Sequence, residues 1–174
     1  LRGLDPAPGP EMKSTGEVFG SHQDADVAYL KARLATEVPV ASEGGVYLTV
    51  RDDDKANLVP IAQQLIELGF TLYATPGTAD VLRANSVPVE IVYRIRERMH
   101  PDALDLMRQG KISFIVNVPT ISGGAVRDGN MMRRLAVELN IPFVTTIRGA
   151  KMEVAAIGAM MKGEMEPVRL TVNY

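Results

Sequence analysis

Two threonine hydroxyls, a Pro-Gly pair and a lysine twenty residues upstream have the types and spacing to hold an anion. Thr75-Pro76-Gly77-Thr78 stands between the β-branched run "TLYAT" and a helical pattern. A strand-to-helix loop aims free backbone N–H groups and the positive helix end outward, and the two hydroxyls add donors beside them. The same four residues also make an ordinary turn, in which Thr75 or Thr78 caps the helix and Gly77 supplies a permissive dihedral. Lys55 bears on the choice. A cation in the first turn of a helix opposes the macrodipole, so either a bound anion or the adjacent Asp52, Asp53 and Asp54 must offset it.

Other residues offer weaker chemistry. Asn117 ends the apolar run "ISFIVN", where its amide can donate and accept toward a base or a ribose, or can cap the next loop. "ISGGAVR" reads as a donor-rich flexible loop with Arg127 close behind, and Arg94, Arg96 and Arg98 alternate so that some share a side if extended. The triple Asp is a solvated cap or a Mg²⁺ site that would need substrate phosphates as co-ligands. The two histidines, His22 and His100, lie in different units, and neither a Ser, His and acid motif nor a GxGxxG after the first strand is present. The residues alone therefore lead to a phosphate-bearing small ligand.

These groups need elements to position them. Val27, Leu30 and Leu34 fall at three- and four-residue spacing, one apolar stripe of a helix, and "TEVPVASEGG" then breaks the pattern as a linker would. From Gly45 onward strand-like and helix-like segments alternate. Strands are predicted over 46–50, 71–75, 89–93, 112–117 and 143–146, and helices over 54–68, 78–85, 101–109, 128–139 and 150–162. "VRLTVNY" would add an edge strand. Nearly all-apolar strands such as "VYLTV" and "ISFIV" are covered on both faces, which predicts a parallel, doubly wound α/β sheet. Ligands of such sheets sit beyond the carboxyl ends of the strands, where Lys55, Thr75, Arg94, Asn117 and the loop "TIRGAK" fall.

Composition sets the bounds. The chain has 174 residues, 46% hydrophobic and 23% charged, with a formal net charge of −2, which suits one main globular domain plus an appendage. Scattered Lys and Arg give no basic face for a nucleic-acid backbone. The absence of cysteine excludes disulfides, thiolate metal sites and a thiol nucleophile, and suits a reducing cytosol. No window reaches the length of an apolar membrane span. The first residue is Leu1, and "LRGLDPAPGPEMKSTGEVFG" has no periodic apolar face, so the chain reads as a piece of something longer.

Finally, "EMKSTGEVFG", an amphipathic helix, a linker and "VRDDDKANLVPIAQQLIELGFTLYATPGTADVLRANSVPVEIV" together resemble the C-terminal end of the large subunit in the carbamoyl-phosphate synthase family. Residues 1–40 are similar to the tail of the second ATP-grasp synthetase unit and its linker, and 41–174 to a methylglyoxal synthase-like regulatory domain. The implied fold is a three-layer doubly wound sheet of about five parallel strands, preceded by a non-globular or helical N-terminal segment. The implied role is allosteric: UMP as inhibitor and IMP as activator share one pocket and control synthesis of carbamoyl phosphate from bicarbonate, glutamine or ammonia, and ATP, for pyrimidines and arginine. Matched by motif, the effector phosphate would meet Lys55, Thr75, Gly77 and Thr78, while Arg94, Asn117 and Thr120 would face ribose or base. Phe143 and Thr145 match an ornithine-contact segment, although Phe143 replaces a tyrosine of some relatives. The resemblance implies no catalytic residue, metal or cofactor in this piece, and ATP with Mg or Mn for the parent enzyme. Implied partners are the remainder of the large subunit, the glutaminase small subunit, nucleotide effectors and further copies in a homo-oligomer, with neither nucleic acid nor membrane, in the cytoplasm. The alternative is a methylglyoxal synthase-type lyase that eliminates phosphate. Its carboxylate base and histidine acid align with "RMHPD" and "AVRD", which put His100 at the base position and supply neither required type.

Overall fold

The computed structural model describes residues 18–36, 38–119 and 124–163. Thr120, the N-terminal residues 1–17 and the edge strand expected over 168–174 lie outside the described residues. Within them, helix α1 (Ala25–Leu34) precedes an alternating series: β1 (Gly45–Thr49), α2 (Lys55–Glu67), β2 (Thr71–Ala74), α3 (Pro76–Ala84), β3 (Glu90–Ile91), α4 (Ala103–Arg108), β4 (Ile112–Asn117), α5 (Gly124–Glu138), β5 (Phe143–Val144) and α6 (Ile147–Met161). The five strands form one sheet in the order β3-β2-β1-β4-β5, and every pairing is parallel. This is the doubly wound α/β sheet that the covered strands predict.

Side-chain alternation divides the sheet's two faces. Val46 and Leu48 of β1 and Phe114 and Val116 of β4 point to one side, where Leu58 and Leu65 of α2, Leu82 of α3 and Ile157 of α6 complete a core. Tyr47 and Ile115 point to the other, against Leu106 of α4 and Met132 and Ala136 of α5. Removing each large aliphatic side chain from water contributes roughly 1.5–3 kcal/mol, so this layering supplies most of the stability. Gly69 and Gly110, at φ +88 and +69, end α2 and α4 in the left-handed region that glycine reaches without penalty.

Several element boundaries differ from the sequence expectation. Helix α3 begins at Pro76 rather than 78, because proline at the first helical position already has helical φ and needs no N–H partner. Helix α5 begins at Gly124 rather than 128, so Val126 and Arg127 of the expected flexible loop are helical, and Arg127 is exposed. Helix α6 begins at Ile147 rather than 150, since the Thr146 hydroxyl accepts from the Gly149 N–H at 3.0 Å and caps it there. The stretch with Arg94, Arg96 and Arg98 is a 3-10 turn over Ile95–Glu97 rather than extended, and β3 is correspondingly short.

Helix α1 is packed on α6. Val27 and Leu30 meet Ala156 and Ala159, and the polar centre of this seam is Glu153, only 1% exposed. Arg33 donates to both of its carboxylate oxygens, at 2.8 and 3.0 Å, and the Tyr29 hydroxyl donates at 2.8 Å. A buried carboxylate is tolerated only with such complete pairing. Asp24 caps α1 by accepting from the Asp26 and Val27 N–H groups.

Candidate functional site

Strand order reverses between β1 and β4: from β1 the chain moves outward through β2 to β3, then restarts on the other side of β1. Such a reversal leaves a crevice at the carboxyl strand ends, because the connecting helices diverge to opposite faces. A cavity of about 240 Å³ occupies that place here, lined by the ends of β1, β2 and β4 and the starts of α2, α3 and α5.

Six of the nine residues that the resemblance assigns to effector contacts, Lys55, Thr75, Gly77, Thr78, Arg94 and Asn117, line this one cavity, as do Asp52 and Arg96. Thr75 is the residue before α3, with φ −64 and ψ 152, and makes no side-chain cap, so the capping alternative for this loop does not hold. Its hydroxyl instead lies 3.4 Å from that of buried Thr78. Pro76 has no N–H, and the Thr78 and Ala79 N–H groups both return to the Thr75 carbonyl at 2.9 Å. The Gly77 N–H is thereby left as the donor at the helix end, without a backbone partner among the described residues.

Gly77 is not in the left-handed region, so dihedral freedom does not explain it. Close approach does. A Cβ placed there would stand 3.0 Å from Lys55 Nζ and 3.9 Å from Arg94 Nη2. Two cations, one at the start of α2 and one before the 3-10 turn after β3, thus converge over the N-terminus of α3, an arrangement that attracts a multiply charged anion.

The acids next to Lys55 are partly engaged with it. Asp52, in a 3-10 turn before α2, pairs with Lys55 Nζ at 2.6 Å, and that bond lowers the Asp52 carboxyl's pKa. Asp54 turns away to Arg51 at 2.5 Å, and it does not cap α2 through its side chain, contrary to one sequence expectation. The Asp52 side chain is 91% exposed, so water screens its hold on the ammonium and a better-buried anion can compete for it.

Asn117 ends β4, opposite Thr49 of β1. Its amide oxygen accepts a very short hydrogen bond from Nη1 of Arg133, whose Nη2 donates to Asn130 at 2.5 Å. Arg133 is 2% exposed and lies directly behind the cavity wall: a Cβ on Gly129 would come within 2.7 Å of it. Sequence reading missed Arg133, although Gly129, Met132, Arg133 and Ala136 form a buried stripe at helical spacing that marks it as inward-facing. It missed Tyr47, Asp128 and Arg51 as well, all of which line the cavity.

Phe143 and Thr145 are not among the cavity's lining residues. Phe143 packs with the α4 and α5 side of the core, and Thr145 follows β5, half-buried. His100 is exposed; its Nδ1 lies 2.5 Å from Asp105 Oδ2, and Asp102 and Asp105 cap α4 reciprocally at 3.0 Å. That bond raises the His100 pKa and lowers that of Asp105. His100, Asp102 and Asp105 are close enough together to bind a cation, and their present bonds are those of a helix cap. No helix among the described residues is long and apolar enough to cross a membrane.

Comparison with known proteins agrees with this architecture. A family model described as the MGS-like domain matches residues 57–145. The chain is 49% identical over 166 residues to a protein of Methanocaldococcus jannaschii named carbamoyl phosphate synthase large chain, C-terminal section, a match that takes in 95% of this chain and 26% of that protein. The protein of the same name in Methanopyrus kandleri is 46% identical over 155 residues, 89% of this chain and 28% of that one. A carbamoyl phosphate synthase large chain of Methanosarcina barkeri is 41% identical over 174 residues, all of this chain and 43% of that one. The chain therefore spans less than half the length of each of these relatives.

Proposed function

The chain belongs to the MGS-like domain family, and from that membership we propose that it is the effector-binding regulatory part of a carbamoyl-phosphate synthase large chain. The observation that carries the proposal is the convergence of Lys55, Arg94, Gly77, Thr75 and Thr78 on one switch-point cavity. Two cations, a helix-end N–H and two hydroxyls suit a phosphate dianion, and Asn117 suits the ribose or base attached to it. UMP as inhibitor and IMP as activator are the proposed occupants. Thr120 is assigned to ribose or base by motif, and Phe143 and Thr145 to ornithine at a place apart from the cavity.

In this reading the signal passes to the remainder of a large subunit that makes carbamoyl phosphate with ATP and Mg or Mn, fed by a glutaminase subunit and assembled as a homo-oligomer in the cytoplasm. Residues 1–40 would be the tail of its synthetase unit and 41–174 the regulatory domain. Carbamoyl phosphate made there would serve pyrimidine and arginine synthesis.

A phosphate-eliminating lyase is the second reading, and Asp128 in the cavity is the observation in its favour, as a carboxylate base. The reaction also needs an acid for the leaving oxygen. No histidine is among the described residues lining the cavity, and His100 is engaged with Asp105. This supports binding over elimination. Isothermal titration of the chain with UMP, IMP and ornithine tests the proposal: at least one nucleotide should bind, and ornithine should not displace it. Failure of every one of them to bind at about millimolar concentration, far weaker than effector control requires, would sink it.

A further inference from the structure

Two polar groups that face the cavity have no partner among the described residues. Tyr47 is 4% exposed, yet its hydroxyl makes no hydrogen bond among the described residues. No sealed side-chain oxygen or nitrogen among the described residues goes unbonded, so the phenol oxygen must meet open space, and the cavity that Tyr47 lines provides it. Asn117, 6% exposed, is in the same position. Arginine has only donors, so the Asn117 oxygen is the atom turned to Arg133, and the amide's NH₂ is directed away from it. That amino group has no partner of its own among the described residues and is likewise not sealed.

Both groups stand on the α5 side of the sheet. Asn117 pairs in register with Thr49, two residues beyond Tyr47 on β1, so Tyr47 and Asn117 share a face about 7 Å apart along the strand direction. An unbonded buried hydroxyl or amide is costly to keep. Here the burden falls on two adjacent groups that open into the same space, beside the anion cradle.

We propose that Tyr47 is a ligand-contact residue: its hydroxyl and the donor face of Asn117 form a hydrogen-bonding subsite for the uncharged part of an organic phosphate. The inference rests on the reading of the cradle as a phosphate site. Asn117 requires an acceptor on the ligand, a carbonyl or hydroxyl oxygen, whereas Tyr47 can donate or accept. Burial, with the nearby Asp128 charge, pushes the phenol's pKa upward, so Tyr47 keeps its proton and remains a donor. No charged group on the ligand is needed at this end.

The test is Tyr47→Phe in the full chain, which removes one oxygen and leaves the ring's packing in place. UMP, IMP, ribose 5-phosphate and inorganic phosphate are titrated into both proteins, with thermal melts confirming the fold. The variant should bind the organic phosphates about three- to tenfold more weakly and inorganic phosphate unchanged. If the nucleotides bind and the substitution does not weaken them, the Tyr47 subsite is refuted and the nucleotide reading stands. Equal weakening of nucleotide and inorganic phosphate also refutes it, since Tyr47 would then act only through packing. If neither nucleotide binds, ribose 5-phosphate decides: weakened binding supports the subsite without the nucleotide reading, and unchanged or absent binding overturns both.

Discussion

The α1–α6 seam and the switch-point cavity both bury polar groups, and they treat them in opposite ways. In the seam, Glu153 receives Arg33 on both oxygens and Tyr29 on one, and the rest of the Arg33 guanidinium is taken up by the Thr36 hydroxyl and the Pro39 carbonyl just after α1, so the network is closed within the chain. In the cavity, the Tyr47 hydroxyl, the Asn117 amino group and the Gly77 N–H have no partner among the described residues. Lys55 is paired, among the described residues, with a carboxylate standing in solvent. A closed network spends its hydrogen bonds on joining two elements; an open one keeps them for something that is not part of the chain. The location follows the same logic, because the seam lies between helix flanks, whereas strand ends and helix starts leave backbone and side-chain donors unused.

Arg33→Ala should break the closed region most severely. It leaves the Glu153 carboxylate buried without its cation, which should cost about 2–4 kcal/mol in chemical denaturation. Affinity for UMP or IMP should stay within about twofold, since Arg33 does not line the cavity. A loss of binding as large as the loss of stability would join the two regions and dissolve the contrast.

Lys55→Ala should do the reverse. Stability should change little, because the Asp52 pair is solvent-screened. The nucleotide should bind about 10- to 100-fold more weakly, while the matching nucleoside is unaffected. Equal weakening of nucleotide and nucleoside in titration would show that Lys55 does not meet phosphate.

The smallest effect belongs to the exposed pair of His100 and Asp105. The bond raises the His100 pKa above its ordinary 6.5, so its contribution is complete at lower pH and disappears as pH rises through the raised value. It lowers the Asp105 pKa below 3.8, so the contribution also disappears as pH falls through that depressed value. The melting-temperature gap between the parent and His100→Gln should therefore be present near about pH 5.5 and vanish by about pH 9. A gap independent of pH would mean that the ring acts by packing and not by charge.

Much of the fold is legible in the residues. Apolar runs such as "ISFIVN" mark strands covered on both faces, and Gly69 and Gly110 mark helix ends by chemistry that needs no distant partner. Helix starts are less legible: α5 and α6 begin three or four residues before the apolar periodicity does, since a Thr146 cap or a glycine-led first turn lies outside the stripe. The gathering of Lys55, Thr75, Gly77, Thr78 and Asn117 at one edge could be anticipated, because a parallel sheet brings every strand's carboxyl end to the same side.

The remaining site residues could not be placed in advance. Arg133 and Arg134 are adjacent and chemically alike, and only the phase of α5 against β4 buries the first and exposes the second. Tyr47 sits in a strand with no polar face, so nothing local distinguishes a core tyrosine from one whose hydroxyl opens into a cavity. Arg33 and Glu153 are 120 residues apart and meet only through the packing of α1 on α6. The sequence by itself determined the alternation of elements and the side of the sheet on which polar residues collect, because periodicity, caps and parallel pairing act locally or by simple repetition. Which polar groups are satisfied and which stay open was decided by tertiary structure alone, because a hydrogen bond depends on positions set by elements far apart in the chain.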